Sequence, residues 1–265
     1  MDDTDSFITA AAVVAAIVLW WSWFRRAANI FAPRCPLPWR LAVMALPPLL
    51  VISLVTTLHY VAAPDVKDNS GYLTLFSAVG TLSLYGASFF SSLAGLDPLA
   101  NGIEGGNRAA ILSVAGRWSA TTVLNIGANI GSGEDISTTL IPLAIGLGLL
   151  GLFLAVVSWS TDLLPAIASA RRTAAGVRLG ALALSASLPL ANAASGDWIS
   201  LPATLGDMIS VTPQLVLLVG AAWVVERVWP SAELRSFASI LTRAVAPSLG
   251  FLALAAGLTW KIGGN

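Results

Sequence analysis

Residues 137–159 read STTLIPLAIGLGLLGLFLAVVSW and contain no charged side chain. A membrane-spanning helix needs about 20 consecutive, mostly apolar residues, so this stretch predicts a transmembrane helix. Its apolar residues show no strand-like alternation, and an unpaired backbone in lipid is too costly for anything except a helix or a closed barrel. This stretch therefore decides the fold class.

Seven further stretches on either side of the first have the same length and character. They lie at residues 7–24, 41–63, 72–96, 110–131, 174–194, 208–228 and 238–260. Charged residues combined with proline or glycine stand between them, and such combinations end or cap helices. The sequence thus predicts an all-α, polytopic transmembrane helix bundle of eight spans, forming a single domain.

The composition of the whole chain limits its function. Of 265 residues, 56% are hydrophobic and 11% are charged, and the mean hydropathy is +0.80. Soluble domains carry about 25% charged residues, so this composition excludes a cytosolic enzyme and a nucleic-acid-binding protein. Cys35 is the only cysteine and His59 the only histidine. One chain therefore has no internal disulfide and no multi-histidine haem or metal site, and we expect no cofactor.

The charges between the spans predict how the chain is oriented. Asp2, Asp3 and Asp5 precede the first span and Arg25 and Arg26 follow it, which favours an uncleaved helix over a signal peptide. With the N-terminus outside, 12 of the 14 basic residues, all arginines including Arg235, fall inside, and both lysines fall outside. This is the bias of the positive-inside rule, so we expect both termini on the non-cytoplasmic side. The acids that fall outside include Asp65, Asp68, Glu134, Asp135, Asp197 and Asp207.

Sequence matches spaced about 64 residues apart indicate an internal repeat. Residues 128–137 read ANIGSGEDIS and residues 191–200 read ANAASGDWIS. Further matches at nearly the same spacing pair Trp159 with Trp223, Asp162 with Glu226, and Arg178 with Arg243. A repeat of this length holds two spans, which preserves orientation and predicts parallel repeats. About four units account for the chain, at roughly 7–63, 72–131, 137–195 and 207–260.

The repeated helix starts and ends resemble a known family. Asn107-Arg-Ala-Ala110 and Arg172-Thr-Ala-Ala175 open two helices, and each helix ends near an Ala-Asn pair. Stretches 107–133 and 172–196 thereby resemble an uncharacterised bacterial inner-membrane family of repeated two-span hairpins (YjfL-like, a domain of unknown function). The resemblance implies a location in the bacterial inner (cytoplasmic) membrane and brings no established activity with it.

Charged residues within the spans are the first candidates for function. Arg117, Arg178 and Arg243 each lie near the cytoplasmic start of a span. Their side chains either extend to the lipid headgroups or pair with acids that end the preceding helices. Asp162 and Glu226 are those acids. The spacing predicts two pairs within hairpins, Asp162 with Arg178 and Glu226 with Arg243.

Polar residues near the outer ends form a second group of candidates. Asn125, Asn129 and Asn192 lie there, and their amides either cap and pack the helices or contribute to a polar site. Several tryptophans at span ends predict an interfacial belt: Trp20, Trp21, Trp23, Trp198, Trp229 and Trp260.

These features leave two hypotheses for function. The sequence lacks a hydrolase-type serine motif, which favours a non-enzymatic structural or accessory subunit of a membrane assembly, or an envelope-stress component. The alternative is a channel or transporter for a small solute, indicated by the repeats and the polar residues within spans. The expected partners are the lipid bilayer and either other membrane proteins or a second copy of the chain, with no nucleic acid. An apolar, solid interior would favour the first hypothesis, and a polar path the second.

Overall fold

The structure is a computed structural model that describes residues 3–30, 33–131, 136–231 and 237–262. Asp2, Glu134, Asp135 and Arg235 lie outside the described residues, as do the side chains of Trp260 and Lys261. The described ranges contain helices and turns but no strand. In chain order the α-helices are α1 (Asp3–Ala28), α2 (Leu37–Val61), α3 (Pro64–Lys67), α4 (Ser70–Leu93), α5 (Arg108–Ala128), α6 (Ser137–Ser160), α7 (Leu163–Ala168), α8 (Thr173–Ala194), α9 (Leu201–Ser210), α10 (Thr212–Val228), α11 (Phe237–Ile240) and α12 (Ala246–Ile262). Two π-helical segments, Pro98–Glu104 and Leu241–Val245, precede α5 and α12.

Seven helical stretches in the described part of the chain are long and apolar enough to cross a membrane. They are α1, α2, α4, α6, α8, the combined stretch Leu201–Val228, and Thr242–Thr259. The all-α membrane fold predicted from the sequence is therefore confirmed. The remaining predicted span, 110–131, is helical as α5 and has 21 residues, but it is not among the seven. Arg117 and Asn125 contribute to its lower apolar character. The eight-span, four-repeat architecture stays a prediction.

Four prolines of the spans lie inside helices. Pro47 and Pro48 are in α2, Pro142 is in α6 and Pro189 is in α8. Each lacks a backbone N–H and so removes one helical hydrogen bond. Membrane helices tolerate such losses where neighbouring helices and hydroxyl side chains satisfy the freed backbone groups.

Helices α5 and α8 run parallel at the centre of the bundle, and small residues line their contact. A Cβ atom added to Gly116 would overlap the backbone of Gly180. Without side chains at these positions the two backbones approach directly, which is how small residues drive association of membrane helices. The facing positions, in order along both helices and the turns after them, are Ala109 with Gly176, Gly116 with Gly180, Gly127 with Ala191, and Gly131 with Gly196.

The other long helices surround this central pair. Helices α2 and α4 pack against α5, α6, α10 and α12 pack against α8, and α1 packs against α4. Within the apolar window of α8, 78% of the residues are buried, against 22% for α1 and α2. The outer helices therefore present most of their side chains to the surroundings, whereas the central pair is enclosed by protein. An enclosed helix can carry polar side chains that lipid would not tolerate.

Aromatic residues of α1 join the core beside α5. Trp20 and Trp23 are each only 7% exposed, and their rings lie 6.4 and 6.1 Å from the ring of Trp118. Trp20 also donates its indole N–H to the Thr81 carbonyl at 2.9 Å. The predicted interfacial role is wrong for these two tryptophans, because they pack inward. Trp21, at 71% exposed, is oriented as an interfacial residue would be.

Candidate functional site

A row of five polar residues runs along the central helix. Ser113, Arg117, Thr121, Asn125 and Asn129 are spaced four residues apart, so they form one continuous ridge on the surface of α5 and its C-terminal cap. All five are buried, with exposures between 0% and 8%. At a rise of about 1.5 Å per residue the row extends for about 24 Å, most of the roughly 30 Å thickness of a bilayer hydrocarbon core. We call these five residues the polar ridge.

Hydrogen bonds within the helix satisfy only part of the polar ridge. The side-chain amide of Asn125 donates to the Thr121 carbonyl at 2.8 Å, and that of Asn129 donates to the Asn125 carbonyl at 2.7 Å. Asn129 is the C-terminal cap of α5, so its contact is the one that the capping interpretation predicted. Four buried ridge atoms have no hydrogen-bond partner among the described residues: Ser113 Oγ, Arg117 Nε, Asn125 Oδ1 and Asn129 Oδ1.

Four unpaired polar atoms on one helix are energetically unusual. Leaving a buried donor or acceptor unpaired costs about 1–3 kcal/mol, and more for a charged group. Native interiors leave few such groups, and a polar path that holds water or a solute is one reason for them. Bound water, an ion or a small solute on the polar ridge would supply the missing hydrogen bonds. Further unpaired buried atoms lie on α8, at Arg178 Nη2 and Ser185 Oγ, and on α10, at the side-chain amide of Gln214.

Arg117 is the second of the five residues of the polar ridge, and its side chain contacts α4. It is the tenth of the 21 residues of α5, and it therefore lies near the middle of the helix rather than near its start, where the sequence places it. Its Nη1 donates to Ser91 Oγ at 3.1 Å, and the neighbouring Trp118 donates its indole N–H to Ser88 Oγ at 2.8 Å. The guanidinium does not extend to the headgroups, because it is only 8% exposed and bonded to α4.

Asn125 meets α4 at a second point of close approach. A Cβ atom added to Gly80 would lie 3.3 Å from Asn125 Oδ1 and would overlap the Leu54 side chain of α2. Glycine at position 80 thus lets α2, α4 and α5 meet around the asparagine. The polar ridge therefore contacts α4 at two residues, through Arg117 at Ser91 and through Asn125 near Gly80.

A second buried arginine lies on α8 and has an acidic partner. Arg178 is fully buried, and its Nη1 forms an ion pair with Glu226 Oε1. Nη1 also donates to the Trp229 carbonyl, and Nε donates to the Arg243 carbonyl, both at 2.7 Å. The other carboxylate oxygen of Glu226 accepts from the Ser231 backbone N–H at 3.1 Å. These bonds connect the end of α10 and the π-helical segment Leu241–Val245 to α8.

This pairing corrects the prediction made from spacing. Arg178 pairs with Glu226 of the following hairpin, whereas Asp162 is exposed and forms no ion pair within 4 Å among the described residues. The backbone carbonyl of Arg243 accepts a hydrogen bond from Arg178. Among the described residues, the Arg243 side chain forms no ion pair with Glu226. The prediction failed because it assumed that both partners belong to the same hairpin, whereas α10 of the following hairpin packs against α8.

The remaining predicted residue, Asn192, lies outside the polar ridge. It is exposed near the end of α8, and its carbonyl accepts the Ser195 hydroxyl at 2.8 Å. Sequence reasoning identified three ridge residues and missed Ser113 and Thr121. The signal was present as a spacing of four between polar residues within one span, but hydroxyl residues are common in membrane helices and do not stand out singly.

The structure offers few ligands for a metal ion. Across the described ranges, no group of three or more histidine, cysteine, aspartate or glutamate side chains could hold one. Cys35 is buried beside the start of α2, and this burial raises the pKa of its thiol despite the nearby Arg108 and Arg40. Comparisons with protein-family models, curated proteins and solved structures found no match to this chain.

Proposed function

We propose that this protein is a channel or transporter that moves a small polar solute along the polar ridge of α5. The observation that carries the proposal is the row of buried polar side chains, about 24 Å long at 1.5 Å per residue, with four atoms unpaired within the described chain. Polar groups at membrane depth are costly, and they mark ion and substrate pathways in membrane proteins.

The proposed path lies between α4 and α5 rather than between α5 and α8. The α5–α8 contact brings backbone against backbone at Gly116 and Gly180, which leaves no room for a solute. The α4 side of the α4–α5 contact instead includes the hydroxyl groups of Ser88 and Ser91 and the glycine Gly80. Solute passage then requires α4 to separate from a rigid α5–α8 pair, a sliding or hinge motion on the microsecond to millisecond timescale.

The number and orientation of the spans complete the proposal. We propose that α5 is the eighth span, since it packs parallel to α8 along the full length of that apolar helix. Parallel two-span repeats in the bacterial inner membrane, with both termini non-cytoplasmic, complete the arrangement. The arginine distribution and the YjfL-like resemblance support this context. Reporter fusions at residue 265 and in the 165–172 loop test it, and a cytoplasmic signal from the C-terminal fusion would contradict it.

Solute flux into liposomes tests the transport function. Purified protein is reconstituted, and swelling or shrinkage is followed with urea, glycerol, choline chloride and sodium nitrate. We expect flux of at least one solute above that of empty vesicles. Asn125→Leu keeps a similar volume but removes the amide, and we expect it to reduce that flux about tenfold, the equivalent of about 1.4 kcal/mol.

A matched pair of variants controls for general damage to α5. Thr121 and Thr122 are adjacent and both buried, but only Thr121 belongs to the polar ridge, while the Thr122 hydroxyl bonds the Trp118 carbonyl at 3.0 Å. Thr121→Val should lower the flux and Thr122→Val should leave it unchanged. Equal effects of the two substitutions, or no flux from the wild-type protein, would refute the transport proposal.

One observation favours the accessory-subunit function as a second candidate. The direct backbone contact between Gly116 and Gly180 makes the centre of the bundle solid, as expected for a protein that supports an assembly. Extraction in mild detergent followed by identification of co-purifying proteins tests this function. A stoichiometric membrane partner together with an absence of flux would favour it over transport.

A further inference from the structure

Arg117 is a buried positive charge without an acidic partner. Among the described residues no carboxylate oxygen lies within 4 Å of its guanidinium, and the ion pairs present there involve Arg26 and Arg178 instead. Its side chain is nevertheless 92% buried at the middle of α5, given an exposure of 8%. Moving an unpaired ion from water into a protein interior costs several kcal/mol, so such a charge calls for a compensating negative group.

The guanidinium of Arg117 is only partly hydrogen-bonded. Nη1 is bonded to Ser91 Oγ, but Nε has no partner among the described residues. The Ser91 hydroxyl donates to the Ala87 carbonyl at 2.7 Å, so its oxygen is a neutral acceptor for Arg117 and supplies no charge. An N–H of an arginine fork therefore remains available to an acceptor that approaches along the polar ridge.

The aromatic residues beside the site strengthen its attraction for an anion. Trp118 follows Arg117 in the helix and packs against Trp20 and Trp23, and all three rings are buried. A charge in a medium of low effective dielectric constant attracts an opposite charge several times more strongly than in water. Arginine is also the side chain best suited to bind anions through directed N–H groups.

From these contacts we infer that Arg117 is the binding residue for a small inorganic anion of single charge, which is the solute of the proposed path. The anion accepts hydrogen bonds from Arg117 Nε and offsets the buried charge. A monovalent anion neutralises the single charge of the guanidinium, whereas a divalent anion would leave an unpaired negative charge inside the bundle. The inference that the anion is the transported solute rests on the proposed function, whereas the inference of an anion site rests on the contacts of Arg117.

Anion-dependent stability tests the site independently of transport. The thermal midpoint of the purified protein in uncharged detergent is measured against sodium nitrate or sodium chloride, with sodium gluconate keeping the ionic strength constant. Ligands that bind only the folded state raise the midpoint with concentration. We expect such a rise for wild type, and a loss of apparent affinity of about tenfold or more in Arg117→Gln.

Two further variants keep this test decisive. Arg117→Lys retains the charge and should retain a weaker anion response. Arg108→Gln removes the same charge from the exposed first position of the same helix, so it should behave as wild type. If Arg117→Gln does not fold, a response in Arg108→Gln that equals wild type and a weaker response in Arg117→Lys still support the site. A wild-type midpoint that nitrate and chloride do not move, or an equal loss in Arg108→Gln, would overturn the inference.

Flux measurements separate failure of the inference from failure of the proposed function. Both proposals are supported if liposomes with the wild-type protein pass nitrate faster than choline or urea, and if this preference is reduced in Arg117→Lys and lost in Arg117→Gln. Flux of urea or choline without an anion preference refutes the anion inference and leaves transport standing. Anion-dependent stabilisation without any flux supports the anion site and refutes the transport function.

Discussion

Arg117 and Arg178 lie on the parallel helices α5 and α8, and both are buried, but their surroundings differ. Arg178 has an acidic partner, two backbone carbonyls and a position near the start of its helix. Arg117 has one serine hydroxyl, an unpaired Nε and a position at the middle of its helix. Each guanidinium keeps one buried nitrogen without a partner among the described residues, Nη2 of Arg178 and Nε of Arg117. The difference is the carboxylate of Glu226, which neutralises the charge of Arg178 and holds helices together, whereas the charge of Arg117 is available to a ligand. The two arginines therefore separate a structural role from a binding role within one bundle.

Breaking the Arg178–Glu226 pair should have the largest effect. Either Arg178→Gln or Glu226→Gln leaves one buried charge without its partner, which costs about 3–5 kcal/mol of folding free energy. The double variant leaves no charge, so its loss should be smaller than the sum of the single losses. Equilibrium unfolding in mixed detergent micelles measures all three variants.

The control for this cycle is a neighbouring arginine at the surface. Arg227→Gln removes an exposed guanidinium that lies over the Trp223 ring at 5.5 Å. Such an exposed contact contributes about 0.5–1 kcal/mol. Additive losses in the double variant, or a loss in Arg227→Gln as large as in Arg178→Gln, would contradict the structural role of the pair.

The contact between the two helices that carry the arginines should show the next largest effect. The Cβ atom of Gly116→Ala would overlap the backbone of Gly180, so α5 and α8 would have to move apart next to both arginines. Overpacking typically costs about 1–3 kcal/mol, and we expect about 3 kcal/mol because backbone atoms cannot rotate away. Unfolding in mixed micelles again gives the value.

Glycine on an outer helix supplies the comparison for this substitution. A Cβ atom on Gly148 of α6 would meet no atom within 4 Å. Gly148→Ala should therefore be neutral or stabilise the helix by about 0.5–1 kcal/mol. If Gly116→Ala proves as harmless as Gly148→Ala, then α5 and α8 are not in direct backbone contact.

Removing the single hydrogen bond of Arg117 should have the smallest effect of the three. Ser91→Ala deletes the acceptor of Nη1, and a hydrogen bond to a charged group contributes about 1.5–3 kcal/mol. We expect about 1.5 kcal/mol, the low end of that range, because the Ser91 hydroxyl is neutral and already bonded to its own helix. Thermal unfolding in detergent detects this change.

A second serine of α4 controls for loss of a hydroxyl. Ser83 bonds the Val79 carbonyl at 2.9 Å, within its own helix. Ser83→Ala should change stability by no more than about 0.5 kcal/mol. A Ser91→Ala protein as stable as Ser83→Ala would mean that Arg117 does not depend on α4 for its position.

Local features of the sequence predicted the helices well. The predicted span 174–194 corresponds to α8 at Thr173–Ala194, and the predicted span 137–159 corresponds to α6 at Ser137–Ser160. The signals for these helices are continuous apolar runs and the residues that cap or break them, and both lie within a few residues of the helix they define. Asn107 is an example, since its side chain caps α5 by accepting from the Ala110 N–H at 3.1 Å.

Contacts between helices were predicted less well. The spacing argument correctly selected Arg178 and Glu226 as residues that form an ion pair, but it assigned each to the wrong partner. It also treated Asn125 and Arg117 as separate candidates and did not recognise them as one ridge. Both errors arose because the sequence does not state which helix lies at the centre of the bundle. The position of a helix in the bundle decides whether its polar side chains face lipid or another helix.

The sequence by itself determined that this protein is a helical membrane protein, where its helices lie, and that a small number of polar groups lie within them. These properties follow from local sums of hydropathy and from the cost of unpaired backbone groups in lipid. Only the tertiary structure decided that α5, the least apolar of the long helices, is enclosed at the centre, that Arg178 pairs with Glu226, and that Arg117 pairs with no acid in the described chain. Those outcomes depend on backbone contacts between residues such as Gly116 and Gly180, which are far apart in sequence and are specified by packing rather than by composition.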